Sequence, residues 1–377
     1  MVCRFAHSRL AAVLVLCFAL VACLWLSACG SNEPAQEAST QEGSSQASSS
    51  AAEDVQASEE DAEDDAPLAF PTCWLAVDAE GIPAGVAVAV EYLPDLEITA
   101  HRGGVPVSNA DVQAYRAEWD FEYEGLAVVS HEGRRVVVDP GILLVNLPDV
   151  LDGAVFDVAY SYAATSNVAG VEIPGITGCH LNGYADGRQQ NAYLGKEEFV
   201  VPCAYGTALK AREAAKALSD QGYRLLVFDA YRPMAAQMQL SNAFEEAYYS
   251  DPAIQEAVLD WGTGWFVASG ASGHNYGTDL DVGVCDSAGN PLPMPSSYDA
   301  FDETGCLTAY PVSAAEIMPD AYREEVIENQ ACMALHEAFT GAGFSELASE
   351  WWHFADDETE SQMRAIVGDT GLDFVAE

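Results

Sequence analysis

The chain has 377 residues, half of them apolar, with 59 acidic and 15 basic residues and a formal net charge of −44. Such a length can supply more than one hydrophobic core, or one domain with long appendages. A strongly acidic surface repels nucleic acid and anionic lipid, which argues against a nucleic-acid-binding protein.

Residues 1–29 have the features of an export signal rather than of a folded element. Two arginines precede an almost unbroken apolar run, and Leu26-Ser27-Ala28-Cys29-Gly30 follows it. This segment is similar to a bacterial lipobox, in which the cysteine is acylated and becomes the first mature residue. We therefore predict a lipid anchor on Cys29 that holds the protein at the surface of the cell membrane, outside the cytoplasm. A second match ends at Cys23, and a retained transmembrane anchor is the alternative.

Residues 30–67 consist mainly of Ser, Ala, Gln, Glu and Asp. From residue 31 onward this segment holds eleven acidic residues and no basic one, and Val55 is its one β-branched apolar residue. Such a composition cannot form a core, so it predicts a disordered tether. A chain of this length spans on the order of 30–35 Å, which suits a stalk for an anchored domain.

Residues 68–141 are predicted to form a β-rich accessory region. Residues 86–90 alternate β-branched and small side chains, which is typical of a strand. A turn sequence lies between the apolar runs at 126–129 and 135–138, and this pattern predicts a β-hairpin. The function of this region is not evident from its residues.

Residues 142–377 are predicted to form an α+β domain, a small antiparallel sheet flanked by helices. Apolar residues at helical spacing and short buried-type runs alternate through it. We predict helices over residues 204–221, 234–249 and 329–342, and strands over 223–228, 281–284 and the segment that ends at His353.

Six cysteines remain after the export segment. An even number outside the cytoplasm permits disulfide bonds. The pairs nearest in sequence are Cys179 with Cys203 and Cys285 with Cys306, although six cysteines allow fifteen pairings.

Three short segments carry the chemistry of this domain: residues 229–233, 272–281 and 350–353. They supply two histidines, aspartates, a glutamate and an arginine. Zinc at a catalytic site uses three such ligands and keeps one position open. The spare glutamate suits a general base, and the arginine suits the stabilisation of developing negative charge.

These segments resemble the zinc D-Ala-D-Ala peptidases, and in particular the D-alanyl-D-alanine dipeptidases of vancomycin-resistance type. The family pattern Ser-x-His-x-x-Gly-x-Ala-x-Asp falls on residues 272–281, with Asp279 in place of the alanine. The closing Glu-x-x-His falls on residues 350–353, and the arginine motif falls on 229–233. Residues 162–170 and 294–299 are similar to two further family segments, the first less closely.

The resemblance implies a role for each matched residue. One zinc ion per chain would be held by His274, Asp281 and His353. Glu350 would be the general base, and Arg232 would stabilise the oxyanion. The substrate contacts implied in the same way are Tyr162, Asp229, Ser272 and Asp299.

Two of these residues have plainer interpretations. Asp229 could instead hold Arg232 in position or cap the following helix, and Asp299 could be a surface turn residue. Trp351 and Trp352 are expected to pack in the core or in the wall of the pocket.

Three functions remain open from the sequence. The first is a zinc dipeptidase that hydrolyses D-alanyl-D-alanine at the cell surface. The second is a zinc D,D-carboxypeptidase that trims peptidoglycan stem peptides with the same metal site, which export to the cell wall would favour. The third is an inactive surface-binding lipoprotein.

Overall fold

The computed structural model describes residues 70–77, 112–158, 167–168, 171–172, 183–185, 188–190, 200–258 and 261–374. The chain divides into two units, Met1–Asp65 and Ala66–Glu377, and every described residue belongs to the second. The export segment, the tether, the predicted strand at 86–90 and the residues Cys29, Tyr162 and Cys179 lie outside the described ranges. Within those ranges, no helix combines the length and apolar character needed to cross a membrane.

The described residues form a run of short strands followed by a mixture of α-helices and strands. The helices are α1 Tyr205–Ser219, α2 Met234–Ser250, α3 Pro252–Val258, α4 Glu324–Glu328, α5 Gln330–Gly341 and α6 Asp357–Val367. The strands are β1 Cys73–Val77, β2 Gln113–Tyr123, β3 Leu126–His131, β4 Arg134–Val138, β5 Leu144–Asn146, β6 Val155–Phe156, β7 Asn167–Val168, β8 Val171–Glu172, β9 Gly183–Ala185, β10 Arg188–Gln190, β11 Pro202–Ala204, β12 Arg224–Asp229, β13 Asp279–Cys285, β14 Ser345–Leu347, β15 Glu350–Ala355 and β16 Asp373–Phe374.

The larger sheet has the strand order β11-β5-β1-β2-β3-β4, with β16 beside β2. Its pairs are antiparallel except for β16 with β2. Hydrogen bonds therefore join strands on both sides of the predicted boundary at residue 141, since β1 pairs with β5. The boundary itself stays a prediction, but the β-rich region and the following domain share one sheet.

The second sheet has the strand order β14-β15-β13-β12-β6 and carries the site described below. Four of its strands are antiparallel, and β6 runs parallel to β12. The predicted combination of helices with antiparallel strands is thus confirmed, and the edge strand makes the sheet mixed. Every residue of the central strand β13 is buried.

The predicted elements of this region lie within a few residues of the observed ones. Helix α1 buries Ala208, Ala211 and Leu218 of the predicted apolar positions, whereas Leu209 and Ala215 are half-buried. Strand β13 begins two residues earlier than predicted and so includes Asp279. Helix α6 is not among the predicted elements, and its first six residues are all polar.

Cys285 and Cys306, one of the two pairs nearest in sequence, are both buried free thiols and form no disulfide. Burial raises the pKa of the Cys306 thiol to about 12, with a smaller opposing effect from Arg323. The pairing of Cys203 with Cys179 involves a residue outside the described ranges.

Gly277 forms the turn between the loop with His274 and strand β13. Its φ of +70° lies in the left-handed region, and it ends the short 3₁₀ helix Gly273–Tyr276. A Cβ atom there would lie 3.2 Å from the backbone of both Cys203 and Ala204. Glycine is thus required by both backbone conformation and space.

We expect Gly277→Ala to lower the free energy of unfolding by about 1–3 kcal/mol, because alanine is strained in this conformation and crowds β11. Denaturant unfolding measures the change. Gly270→Ala is the matched control, since Gly270 is exposed and a Cβ there meets nothing within 4 Å. Equal stability of the two variants would contradict the requirement.

Candidate metal centre and active site

Strand register places three functional residues side by side in the second sheet. Asp281 on β13 is paired with Asp229 on β12 and with His353 on β15. Residues directly opposite one another in neighbouring strands project to the same face. The sheet therefore brings together residues that are separated by 124 positions in the chain.

His274 reaches this face from the loop before β13. Its 3₁₀ turn is connected to the loop after β12, because Arg232 N–H donates to the His274 carbonyl at 3.0 Å. Asn275 Nδ2 donates to the Arg232 carbonyl at 2.7 Å, and Ser272 N–H donates to Asn275 Oδ1 at 2.8 Å. These bonds hold the histidine and arginine segments in one arrangement.

Three donor atoms converge at the centre of the site. His274 Nε2 lies 3.3 Å from both His353 Nδ1 and Asp281 Oδ1, and the last two atoms are 3.1 Å apart. Donor atoms at about 2.0–2.1 Å from a tetrahedral zinc ion are about 3.3–3.4 Å from one another. The three atoms match one face of that tetrahedron, so these residues fit a metal ion.

The tautomer of His274 supports the same interpretation. Its Nδ1 lies 2.8 Å from the Ala230 carbonyl, which can only accept a hydrogen bond. Nδ1 therefore carries the proton in the neutral ring, and Nε2 presents a lone pair to the centre. A backbone carbonyl in this position is a common way to orient a metal-binding histidine.

Other carboxylates near the centre form alternative donor groups. Asp279 groups with both histidines, Asp229 with His274 and Asp281, and Glu350 with Asp281 and His353. Asp229 Oδ2 already accepts from Arg232, and Glu350 Oε2 is 3.7 Å from His353 Nδ1. The set of His274, Asp281 and His353 has the shortest mutual distances, so we prefer it.

The second carboxylate oxygen of Asp281 is held away from the centre. Tyr298 OH donates to Asp281 Oδ2 at 3.0 Å, and Arg232 Nη2 lies 3.3 Å from the same atom. The Tyr298 ring is itself stacked on Phe228 at 4.6 Å and contacts the edge of Trp352. Oδ1 is thereby left as the oxygen that faces the histidines.

The pKa of Asp281 is lowered although burial raises it, because the neighbouring His274 and His353 outweigh burial. The carboxyl group is therefore ionised, as a metal ligand must be.

Arg232 is held by neighbours on several sides. Its Nε and Nη2 each lie 2.8 Å from Asp229 Oδ2, and its Nη1 donates to Gln237 Oε1 at 2.9 Å.

Asp229 is fully buried behind the guanidinium group and does not line the cavity. This geometry supports a positioning role for Asp229 rather than the predicted contact with substrate. Helix α2 begins after Pro233, so Asp229 is not its cap.

Glu350 begins strand β15 and is buried beside the three donors. Burial raises its pKa well above the ordinary range; His353 opposes this shift, and the carboxylates of Asp281 and Asp299 add to it. A glutamate with a raised pKa can hold and release a proton near neutral pH. Its place and environment suit an acid–base residue.

A cavity of about 400 Å³ opens onto these groups, which is a size typical of small-ligand sites. Ser272 and Asp299 line it, together with the apolar residues Leu240, Trp265, Phe266, Val267, Phe301 and Leu347.

Asp299 is buried and has a φ of +60°, so it is not a surface turn residue. Such strain in a non-glycine residue is common at functional sites.

The sequence analysis did not identify Gln237 or Tyr298 as part of the site. Gln237 contacts Arg232, and Tyr298 contacts Asp281. The position of Tyr298 next to Asp299 was the available signal for the second residue. Nothing in the helical sequence around Gln237 distinguishes it from a surface residue. Trp351 and Trp352 are buried as expected.

The chain is similar in sequence to a family of peptidases. The Peptidase M15 family model, described as D-ala-D-ala dipeptidase, matches residues 183–374, just over half of the chain. The match includes the metal-binding candidates, Glu350 and Arg232, and it begins after Tyr162.

Three curated relatives are each named D-alanyl-D-alanine dipeptidase. The Escherichia coli protein is 33% identical over 35% of this chain and 55% of its own length. The Enterococcus faecalis protein is 29% identical over 55% of this chain and 88% of its own, and the Enterococcus faecium protein is 29% identical over 45% and 76%. The chain therefore belongs to the D-Ala-D-Ala dipeptidase family of peptidases.

Proposed function

We propose that this protein is a zinc-dependent dipeptidase that hydrolyses D-alanyl-D-alanine outside the cytoplasm. The observation that carries the proposal is the convergence of His274 Nε2, Asp281 Oδ1 and His353 Nδ1 at 3.1–3.3 Å, beside Glu350 and Arg232. The family and the names of the relatives support the substrate.

His274, Asp281 and His353 would hold the zinc ion, since their donor atoms match a tetrahedral face and the tautomer of His274 leaves Nε2 available. Zinc bound there supplies a Lewis acid that polarises a peptide carbonyl and lowers the pKa of water. Tyr298 and Ala230 keep the correct atoms of Asp281 and His274 directed inward.

Glu350 is the proposed general base. It would take the proton of the attacking water and return that proton to the amine that leaves. Its burial beside His353, without a place among the closest donors, is consistent with proton transfer rather than metal binding.

Arg232 is the proposed stabiliser of the negative charge that develops on the carbonyl oxygen. Asp229 and Gln237 accept hydrogen bonds from its guanidinium group and hold it in place. The Arg232 side chain therefore loses little further conformational freedom when the substrate binds. Preorganised charge of this kind is what lowers an activation barrier.

Asp299 is proposed to bind the free ammonium group of the dipeptide, together with Tyr162, and Ser272 to contact the substrate from the loop before His274. Asp299 is buried and lines the cavity, and its negative charge raises the pKa of Glu350. An ammonium group on the substrate would be attracted to this carboxylate, whereas an acylated amine would not.

The protein is further proposed to be anchored to the membrane through lipid on Cys29, with residues 30–67 as the tether. The lipobox and the acidic composition of the tether support this location.

We expect Glu350→Gln to retain zinc and to lower kcat by at least about 10²–10⁴-fold, because the base is lost. His353→Ala should lose zinc as well as activity. Elemental analysis and hydrolysis of D-alanyl-D-alanine measure both effects, with the exposed Glu337→Gln as control. Loss of zinc from the Glu350 variant but not from the His353 variant would reverse the two roles.

A zinc-loaded protein without hydrolytic activity would favour the surface-binding alternative.

We expect kcat/KM for N-acetyl-D-Ala-D-Ala and for a stem pentapeptide to be at least about a hundredfold lower than for the free dipeptide. Asp299→Asn should reduce dipeptide hydrolysis while zinc content stays unchanged. The difference in kcat/KM between the free dipeptide and the acylated or longer substrates should become smaller in this variant. Asparagine is a suitable replacement because it tolerates a positive φ. Comparable rates on dipeptide and pentapeptide would indicate the carboxypeptidase instead.

Mass spectrometry of the membrane fraction should identify an acylated Cys29 as the first residue. Cys29→Ser should release the protein from the membrane, whereas Cys23→Ser should not. An intact Met1, or acylation at Cys23, would contradict this proposal.

A further inference from the structure

Asp279 is a carboxylate at the metal centre to which the chemistry above gives no role. It lies two residues before Asp281 on β13, and residues two apart in a strand project to the same face. Asp281 is paired with His353, so Asp279 is the diagonal neighbour of that histidine. Its Oδ2 lies 3.4 Å from His353 Nε2.

The contact is made to Nε2, the ring nitrogen that is not one of the three proposed donor atoms. The other ring nitrogen, Nδ1, lies 3.1 Å from Asp281 Oδ1. A proton held on Nε2 by Asp279 leaves the lone pair on Nδ1, the atom directed at the centre. The arrangement of carboxylate, histidine and metal is a general means of orienting a ligand and increasing its basicity.

The surroundings of Asp279 do not explain it as an ordinary structural residue. It is 4% exposed, and its Oδ1 is buried without a hydrogen-bond partner. No lysine or arginine forms an ion pair with it among the described residues. Because a buried, half-satisfied carboxylate is destabilising, His353 is the partner that accounts for its presence.

Gly273 provides the space that the Asp279 side chain occupies. A Cβ atom on Gly273 would lie 2.0 Å from Asp279 Oδ1 and 2.5 Å from Oδ2. Any larger residue at 273 would therefore displace the carboxylate from His353. The resemblance described above places alanine at position 279, so this chain has a carboxylate where the family pattern has an apolar methyl group.

We infer that Asp279 is a positioning residue that orients His353 for metal binding and that Gly273 is required for this arrangement. The inference rests on the proposed zinc site and adds a residue to it. It predicts that this chain binds zinc more tightly than it would with the alanine of the family pattern.

The test is the affinity of the full chain for zinc alone, measured by competition with a chromogenic chelator. We expect Asp279→Ala to weaken zinc binding about 10–100-fold, the usual effect of removing such a partner. Asp279→Asn should have a smaller effect, because its amide oxygen can still accept from Nε2. Asp320→Ala, which removes an exposed carboxylate, is the matched control and should bind zinc like the unaltered chain.

Cobalt substitution gives a readout that a purely structural residue would not change. The visible absorption bands of the cobalt-loaded protein should shift in Asp279→Ala and be partly restored in Asp279→Asn. Unfolding of the metal-free variants checks that each is folded. If Asp279→Ala does not fold, the asparagine variant and the Gly273 variants carry the test.

A double-mutant cycle separates the contact from independent effects. Gly273→Ala should weaken zinc binding in the unaltered chain, but should have less than about a twofold effect when Asp279 is already alanine. Equal effects in both backgrounds, or zinc affinity of Asp279→Ala within about twofold of the unaltered chain, would overturn the inference. Absence of stoichiometric zinc from the unaltered chain would instead overturn the proposed function.

Discussion

The antiparallel pairing of β13 with β12 and β15 is the constraint on which the site depends. This register places Asp281 between Asp229 and His353 on one face of the sheet. A slip of one residue would turn the side chains of a strand to the opposite face and separate the donors. Asp279 and Asp281 alternate along β13 with Leu280, Val282 and Val284 of the core, so a slip would also turn the two carboxylates into the apolar core.

Charge balance is the second constraint on this face of the sheet. Four carboxylates border the cavity, and Arg232 is the one lysine or arginine among its lining residues. Arg232 contacts both Asp229 and Asp281, and it also lowers the pKa of Glu350. Buried charges are stable only when they are paired or bind a metal. A divalent cation at the proposed centre would add positive charge to this acidic site.

The N-terminal strands contribute to the site through β11. This strand is paired with β5 of the larger sheet, and Ala204 N–H donates to the Gly277 carbonyl at 2.8 Å. Tyr231 N–H donates to the Pro202 carbonyl at 3.1 Å. The two loops that carry His274 and Arg232 are therefore both bound to the edge of the larger sheet. The larger sheet, in which β5 is also paired with β1, therefore supports both loops.

The sequence by itself determined the family, the principal helices and strands of the domain, and the residue types of the site. The segments with His274, Glu350 and Arg232 are local patterns, and local patterns are readable without a structure. The sequence leaves the cysteine pairing open, and Cys285 and Cys306, though near in sequence, are free thiols, because proximity in sequence says little about proximity in space.

Only the tertiary structure decided which atoms face one another. Tyr298 holds Asp281, and Asp279 contacts Nε2 of His353. The sequence leaves several roles open for Asp229, and the structure places it behind Arg232. The contacts of Tyr298 and Asp279 join different strands or loops, so their geometry depends on strand register and on the space left by neighbouring residues. Those quantities are properties of the packed chain and are not encoded in the spacing of residues along it.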